Sequence, residues 1–269
     1  MDFKGATVLV TGAGGSIGAE ICRQIVNARI VLFDHSEYAL YAAAEEVAGI
    51  PILGYAKDSG TVRTVFAKYR PDYVFHVAAY KHVPLLEGEN AFVGVRNNIL
   101  STLVTARACG GRYVLVSTDK AVNPACMMGA SKRLCELIAA EYGGVIVRFA
   151  NVLESSGSVI PKFKRQIEEG GPLTVTHPDM ERYFMTLAEA GGLVLNAAQL
   201  GSPGFVYMLD AGRSMKILDL ARGMILASER RPLEIAFTGL RAGEKLREEI
   251  RYEAEEKSPT EHPRIFALR

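Results

Sequence analysis

One stretch dominates what this chain can become: Thr11–Gly18, TGAGGSIG, together with the residues on either side. An apolar run, Ala6–Val10, leads into it, and a helical pattern over Ile17–Val26 follows. A second apolar run, Ile30–Phe33, then ends on Asp34. Strand, glycine loop, helix, strand and acid is the order of a dinucleotide-binding unit. Gly12 permits the tight turn, Gly15 lets the backbone approach a pyrophosphate, and Gly18 lets helix and strand pack closely. Free N–H groups at the helix start, around Ser16 and Ile17, would meet the phosphate charge. Asp34 stands where a carboxylate accepts hydrogen bonds from the adenosine ribose and repels a 2′-phosphate, so NAD is expected rather than NADP.

The 269 residues, 49% hydrophobic, suffice for one large domain or two small ones. A net charge of +1 argues against nucleic acid or a membrane surface as the main partner. No apolar stretch approaches the roughly 20 residues that a membrane helix needs. The opening MDFKGATVLV has no basic region or cleavage site and runs directly into the first strand. Cys22, Cys109, Cys126 and Cys135 show no CxxC spacing. The expectation is a reduced, cytoplasmic protein without a metal site.

Along the chain, helical patterns over Glu37–Val47, the segment around Val62–Tyr69, Ala91–Cys109 and Met128–Tyr142 alternate with apolar runs. The runs are Pro51–Tyr55, Tyr73–Ala79, Arg112–Ser117 and Gly144–Phe149. Asp58-Ser59 is suited to cap the helix carrying Val62, Val65, Phe66 and Tyr69. Near-continuous apolar strands between helices predict an α/β fold of Rossmann type, a doubly wound parallel sheet covered on both faces. After Asn151 turn residues crowd in, at 155–158, 170–172, 177–179 and 201–204. Residues 1–150 are therefore expected to form the NAD-binding domain and 151–269 a smaller substrate-binding cap. Leu187–Leu200 and Phe205–Leu209 are expected to return to the large sheet, and the charged tail over 252–269 to end in a mobile tip.

Ligands in such sheets bind at the carboxyl ends of the strands. That rule selects Asp34, then Ala78, Ala79, Tyr80, Lys81 and His82, then Ser117, Thr118, Asp119 and Lys120, then Asn151. Thr118, Asp119 and Lys120 offer a hydroxyl, an acid and a base within one turn, as proton shuffling around a sugar carbon requires. Lys132 follows on the next helix, four residues beyond Met128, so the two side chains share a face.

TGAGGSIG, FHVAAYKHVPLLE (75–87), VSTDKAVNP (116–124), MGASKR (128–133), NVLESSGSVIP (151–161), PLTVTHPDMERYFMT (172–186) and GLRAGEKLREE (239–249) occur in family order. Over nearly its whole length the chain resembles the UDP-N-acetylglucosamine 4,6-dehydratase branch of the extended short-chain dehydrogenases, which makes precursors for capsules, O-antigens and protein glycans. Those dehydrogenases normally carry Tyr-x-x-x-Lys. Met128 in the tyrosine position is similar to the methionine-bearing subgroup, which resembles the configuration-retaining enzymes. Many of that subgroup carry an N-terminal membrane region, and this chain looks like their soluble catalytic core.

The resemblance implies that NAD takes hydride from C4 of a UDP-sugar and returns it to C6. It implies that Thr118 holds the O4 hydroxyl, that neutral Lys120 removes the C5 proton, and that Asp119 protonates the departing C6 hydroxyl. Close Lys132 and partial burial are expected to depress Lys120 for this task. The implied cofactor contacts also include Thr11, His35, Ser36, Asp58, Asn98, Ser117 and Lys132. Lys81 is expected to touch cofactor or substrate, with His82 in support. For UDP the resemblance implies Asn151, Ser156, Gly157, Ser158, Val159, Arg241 and Glu244, with Arg182 as a second phosphate candidate. It also implies a homo-oligomer, with 91–109 and 129–142 as candidate interface helices. Tyr55, Ala150, Glu154 and Ala242 depart from the family pattern. A 4-epimerase, a 5,6-dehydratase, or a non-catalytic dinucleotide-sensing module remain as alternatives, the epimerase disfavoured by Met128.

Overall fold

In a computed structural model, which describes residues 1–228 and 232–269, the chain alternates strand and helix through its first half. The order is β1 (Thr7–Thr11), α1 (Ser16–Gln24), β2 (Arg29–Asp34), α2 (Glu37–Glu46), β3 (Ile50–Leu53), α3 (Ser59–Tyr69) and β4 (Tyr73–His76). It continues with α4 (Ala91–Ala108), β5 (Arg112–Val116), α5 (Met127–Glu141), β6 (Val145–Arg148) and β7 (Asn151–Val152). The second half holds α6 (Val159–Glu168), β8 (Leu173–Val175), β9 (Glu181–Met185), α7 (Leu187–Leu200), β10 (Val206–Leu209) and β11 (Ser214–Lys216). Last come α8 (Ile217–Ala227), β12 (Ile235–Phe237), β13 (Lys257–Pro259) and β14 (Ile265–Leu268).

Among the described residues nine strands form one sheet, in the order β13-β14-β10-β6-β5-β4-β1-β2-β3. From β3 to β10 every pairing is parallel. This is the doubly wound order, and its direction reverses between β1 and β4. One face is covered by α1, α2 and α7 around Ile21, Leu32, Val10 and Leu195. The other is covered by α3, α4 and α5 around Leu9, Val31, Leu115 and Ile146. Both faces are dry because the strands are apolar at nearly every position, as the sequence indicates.

The sheet ends on strands that sequence patterning had put in the cap. β14 pairs antiparallel with β10, and β13 with β14. Ile265 and Leu268 are buried, so the tail is a sheet strand rather than a mobile tip. β10 pairs with β6 in the large sheet, and α7 packs in the helical layer on one of its faces. The cap itself is built from a three-stranded sheet, β11-β9-β7, and the pair β12-β8. Phe163, Leu173, Val175, Met180 and Ile217 form its separate core, with α6 and α8 packed on it.

β4 is three residues shorter than the apolar run Tyr73–Ala79 that encodes it. β4 stops at His76, and Val77–Ala79 leave the ladder. The Val77 N–H still bonds the Thr11 carbonyl, and the Ala78 N–H bonds the Thr11 hydroxyl. The chain thus peels away from β1 at the point where the sheet reverses direction, and its side of the crevice opens there.

A charged network lies under the far end of β5. Arg148 is fully buried and donates to Glu136 through Nε at 2.7 Å and Nη2 at 2.8 Å. Its Nη1 reaches both oxygens of Glu255 at 2.9 and 2.8 Å. Ser117 and Arg133 also donate to Glu136. Burial pushes the Glu136 carboxyl up, but Arg148, Ser117 and Arg133 outweigh it and hold it below its usual range. Its stabilising contribution is therefore complete above the ordinary glutamate value and is lost as pH falls through the depressed one. Glu136→Ala should lower unfolding stability by about 3–5 kcal/mol, because it strands a buried guanidinium. The double change Glu136→Leu with Arg148→Met should recover most of that loss; urea unfolding at neutral pH checks both, and an equally unstable double variant would contradict the account.

Candidate functional site

A cavity of about 1050 Å³ runs along the carboxyl ends of the strands and continues into the cap. Its volume lies at the top of the range for a single ligand site. One half is walled by Gly12, Gly14, Gly15, Ser16, Asp34 and Tyr55, and the other by Ser158, Lys162, Thr176, Arg182, Arg241 and Glu244. Thr118, Lys120, Met128, Lys132 and Asn151 lie along the wall between these groups in sequence and in the fold.

The glycine loop is as tight as its sequence implies. Gly12 has φ +71°, and a Cβ there would sit 2.8 Å from the Ala78 nitrogen. A Cβ on Gly18 would collide with the Gly12 carbonyl. The loop's shape is tied to the acid at the end of β2: Asp34 Oδ2 accepts the Gly14 N–H at 2.9 Å and Oδ1 accepts the Ser36 N–H at 2.9 Å. Beneath the loop, the Thr11 hydroxyl and His76 Nδ1 lie 2.8 Å apart. Burial pushes His76 down to about 3, so it is neutral.

The turn after β5 holds the charged residues. Thr118 caps the short 3₁₀ turn Asp119–Ala121. Asp119 Oδ1 accepts from Lys120 Nζ and from the Thr118 hydroxyl, each at 2.9 Å. Lys120 Nζ also reaches Asn151 Oδ1 at 3.4 Å and Glu248 Oε1 at 3.7 Å. Gly129 lets α5 start against this turn, since a Cβ there would strike the Lys120 carbonyl.

Several expectations need correction. Lys120 is not depressed: burial pulls its amine down, but Asp119 and Glu248 outweigh burial and raise it above the ordinary lysine value. Arg182 is the cation acting against it, while Lys132 Nζ is turned to the Val116 carbonyl at 2.7 Å. Burial lowers Lys132 instead. Asp119 is 2% exposed and does not reach the cavity wall; it lies behind Lys120 and Thr118. Asn98 is also behind the wall, where it clamps Tyr80 by accepting its N–H and donating to its carbonyl. Asp58 caps α3 and lies outside the cavity, and so do Thr11 and Gly18. Arg182 lines the cavity, but its guanidinium is already donating to the Glu181, Lys245 and Leu246 carbonyls.

The remaining candidates meet at the cavity. Ile17, His35, Ser36, Ala78, Ala79, Tyr80, Lys81, His82, Ser117 and Gly157 line it with Ser156 and Val159. The Ser156 N–H bonds Ser16 Oγ at 3.1 Å, so the 155–158 loop is joined to the glycine loop. The His82 ring lies against Gly157, leaving no room for a Cβ there. Lys81 Nζ reaches Ser155 Oγ at 3.4 Å, and burial lowers this lysine. Glu154, one of the departures from the family pattern, is exposed and pairs with Lys164 at 2.7 Å, away from the wall.

Two wall residues escaped the sequence. Lys162 stands one helical turn beyond Ser158 on α6, close enough to Arg241 that the two cations interact. A lysine four residues past a helix N-cap was the available signal. Glu248 carried no signal, because only folding of the 241–249 segment brings it beside Lys120. Among the described residues no group of His, Cys, Asp or Glu could hold a metal ion, and no helix is long and apolar enough to cross a membrane.

Residues 8–269 match the family described as "Polysaccharide biosynthesis protein". The chain belongs to that family. It is 44% identical to capsular polysaccharide biosynthesis protein CapD of Staphylococcus aureus, across 93% of this chain and 45% of that protein. It is 46% identical to the probable polysaccharide biosynthesis protein EpsC of Bacillus subtilis, across 92% and 45%. The chain thus spans about half the length of these curated relatives. Among solved structures it superposes on Pen from Bacillus thuringiensis with a TM-score of 0.89 at 30% identity, covering 100% of this chain and 90% of that one. The fold is also that of DesIV, a dTDP-glucose 4,6-dehydratase from Streptomyces venezuelae solved with NAD and DAU: TM-score 0.81, 20% identity, 91% and 88% covered.

Asp34→Ala should cost about 1–3 kcal/mol of unfolding stability without any ligand, because the Gly14 and Ser36 N–H groups lose their acceptor. Denaturant unfolding of the isolated protein measures this; an unchanged midpoint would mean that the carboxylate does not hold the loop.

Proposed function

We propose that this chain is an NAD-dependent nucleotide-sugar 4,6-dehydratase acting on UDP-N-acetylglucosamine. The observation that carries this reading is the Lys120–Asp119 pair, bonded at 2.9 Å and presented through Lys120 to a cavity with a glycine-loop half and a cationic half.

The residues fit a dinucleotide. Gly12 and Gly18 leave a cradle that a Cβ would fill, Asp34 is aimed by two backbone N–H groups, and the start of α1 offers free N–H groups to a pyrophosphate. Lys132 and Ser117 would hold the nicotinamide ribose end, and Asp34, His35 and Ser36 the adenosine end. A nicotinamide bound there supplies reversible hydride exchange. On the cap side, Lys162 and Arg241 supply charge for a diphosphate, and the first turn of α6, after Ser158, supplies backbone N–H groups.

The chain's own groups handle the protons. Passing one proton from Lys120 Nζ to Asp119 Oδ1 turns the charge pair into a neutral amine and a neutral acid. The amine then takes the C5 proton of a 4-keto sugar, whose carbonyl acidifies that position. The acid's proton goes to the departing C6 hydroxyl through Lys120 or Thr118, since both touch Oδ1 and Asp119 itself stands behind the wall. One water leaves, and no second substrate is needed. Met128 is a thioether and takes no proton, so it shapes the wall rather than replacing the tyrosine's chemistry. Exposed Phe92 and Val93 on α4, and Leu134 and Leu137 on α5, suit the expected self-association.

One observation favours a second reading. The UDP-glucose 4-epimerase of Rickettsia canadensis is 32% identical across 90% of this chain and 76% of that protein. Incubation with UDP-N-acetylglucosamine and NAD, followed by mass spectrometry, separates the two. Dehydration gives a product lighter by one water. An isomer of unchanged mass would replace the dehydratase by an epimerase, and no turnover across a panel of UDP-sugars would leave a dinucleotide-binding module. Lys120→Ala should abolish water loss while dinucleotide stays bound; retained turnover would remove Lys120 from the scheme.

A further inference from the structure

Asp119 is the carboxylate that the sequence points to, yet it is not the one that shares the cavity wall with Lys120. Glu248 is. Its side chain is 6% exposed, and its Oε1 lies 3.7 Å from Lys120 Nζ and 3.5 Å from Arg182 Nη2. Glu248 comes from the segment 241–249, which is fastened to the catalytic turn at several points. Arg182 donates to the Lys245 and Leu246 carbonyls, Lys245 Nζ donates to the Val122 carbonyl, and Asn123 Nδ2 donates to Glu249. Gly243 packs so closely on Cys126 that a Cβ would fall 2.7 Å from its Cβ. A carboxylate held this firmly, nearly dry, between two cations is not a solvated surface charge.

We propose that Glu248 is a positioning residue of the reaction site, brought from the C-terminal segment to hold the Lys120 ammonium in the cavity wall and so govern its proton. The proposal rests on Lys120 being the proton acceptor of the proposed reaction. Asp119 and Glu248 bracket one amine, one from its own turn and one from the cap, so the amine keeps a fixed place when either pairing loosens. The arrangement also makes the amine's readiness depend on the 241–249 segment, which carries the Arg241 and Glu244 contacts offered to the nucleotide. Occupancy of the nucleotide half and the state of the base are then coupled through one stretch of chain.

The groups facing Lys120 give the sign. Asp119 on its own turn and Glu248 on the cap segment favour the charged form. Arg182 on β9 opposes it, Asn151 on β7 offers a neutral oxygen, and the Cys126 thiol at the start of α5 is kept protonated by burial. Removing the Glu248 charge leaves one carboxylate and one cation, so the amine gives up its proton at lower pH.

The test uses the whole chain. Glu248→Gln keeps the shape, and Glu248→Asp keeps the charge. With lysines labelled at Cε by ¹³C and the Lys120 signal assigned from Lys120→Ala, the Lys120 titration should move down by about one pH unit in Glu248→Gln. It should move less in Glu248→Asp. The acid limb of kcat/KM on UDP-N-acetylglucosamine should follow the same order. An unmoved Lys120 titration in Glu248→Gln overturns the proposal whatever the turnover, as does a slower enzyme whose acid limb stays in place. A moved titration in a protein without sugar turnover upholds the coupling and removes the dehydratase reading instead.

Discussion

Everything in this molecule is arranged around the close approach of two backbones at the point where the sheet reverses direction. Gly12 at the end of β1 touches Ala78 just beyond β4, and Gly18 on α1 touches Gly12. No side chain fits at either contact, so the two chains can lie together and then diverge. That divergence makes the crevice. Polar groups around it are committed to keeping it open: Thr11 to His76 and Ala78, Asp34 to Gly14 and Ser36, Asn98 to both ends of the Tyr80 peptide. The carboxylate of Asp34 is aimed before any ligand arrives, which lowers the ordering cost of binding one.

The second organising force is charge held at low exposure. Two clusters are joined by one strand end. Arg148 with Glu136 and Glu255 lies below Ser117, and Lys120 with Asp119, Glu248 and Arg182 lies above it. The first ties the tail to the sheet, because Tyr252 stacks under Arg148 and its hydroxyl donates to the Ala121 carbonyl. The second reaches the cavity. Buried ion networks contribute little net stability when intact but are costly to break in part. They therefore fix the charged turn after β5 in one place more than they stabilise the fold.

The parts legible in the sequence were those with local grammar. TGAGGSIG is read by spacing alone, because its glycines answer to contacts within a few residues and to the next strand. Buried strands announce themselves as unbroken apolar runs, and Asp58 marks a helix start by its short side chain. What failed was whatever depends on the partner of a residue distant in sequence. β13 and β14 sit in a charged tail, and their place in the sheet comes from an antiparallel edge offered by β10. Lys120 read as an amine depressed by a neighbouring lysine, but Lys132 turned to a carbonyl and a carboxylate from 128 residues further along took the space.

The sequence alone determined the parallel α/β sheet, the glycine loop with its acid, and the charged turn after β5, because each follows from residues that interact within one strand–helix unit. Only the tertiary structure decided which carboxylate shares the cavity with Lys120, that Asp119 stands behind it, and that Lys162 joins Arg241. Those outcomes depend on how the cap segments fold back over the sheet. Coulomb interactions fall off with distance in space, and spacing along the chain carries no information about that distance once the chain has crossed between layers.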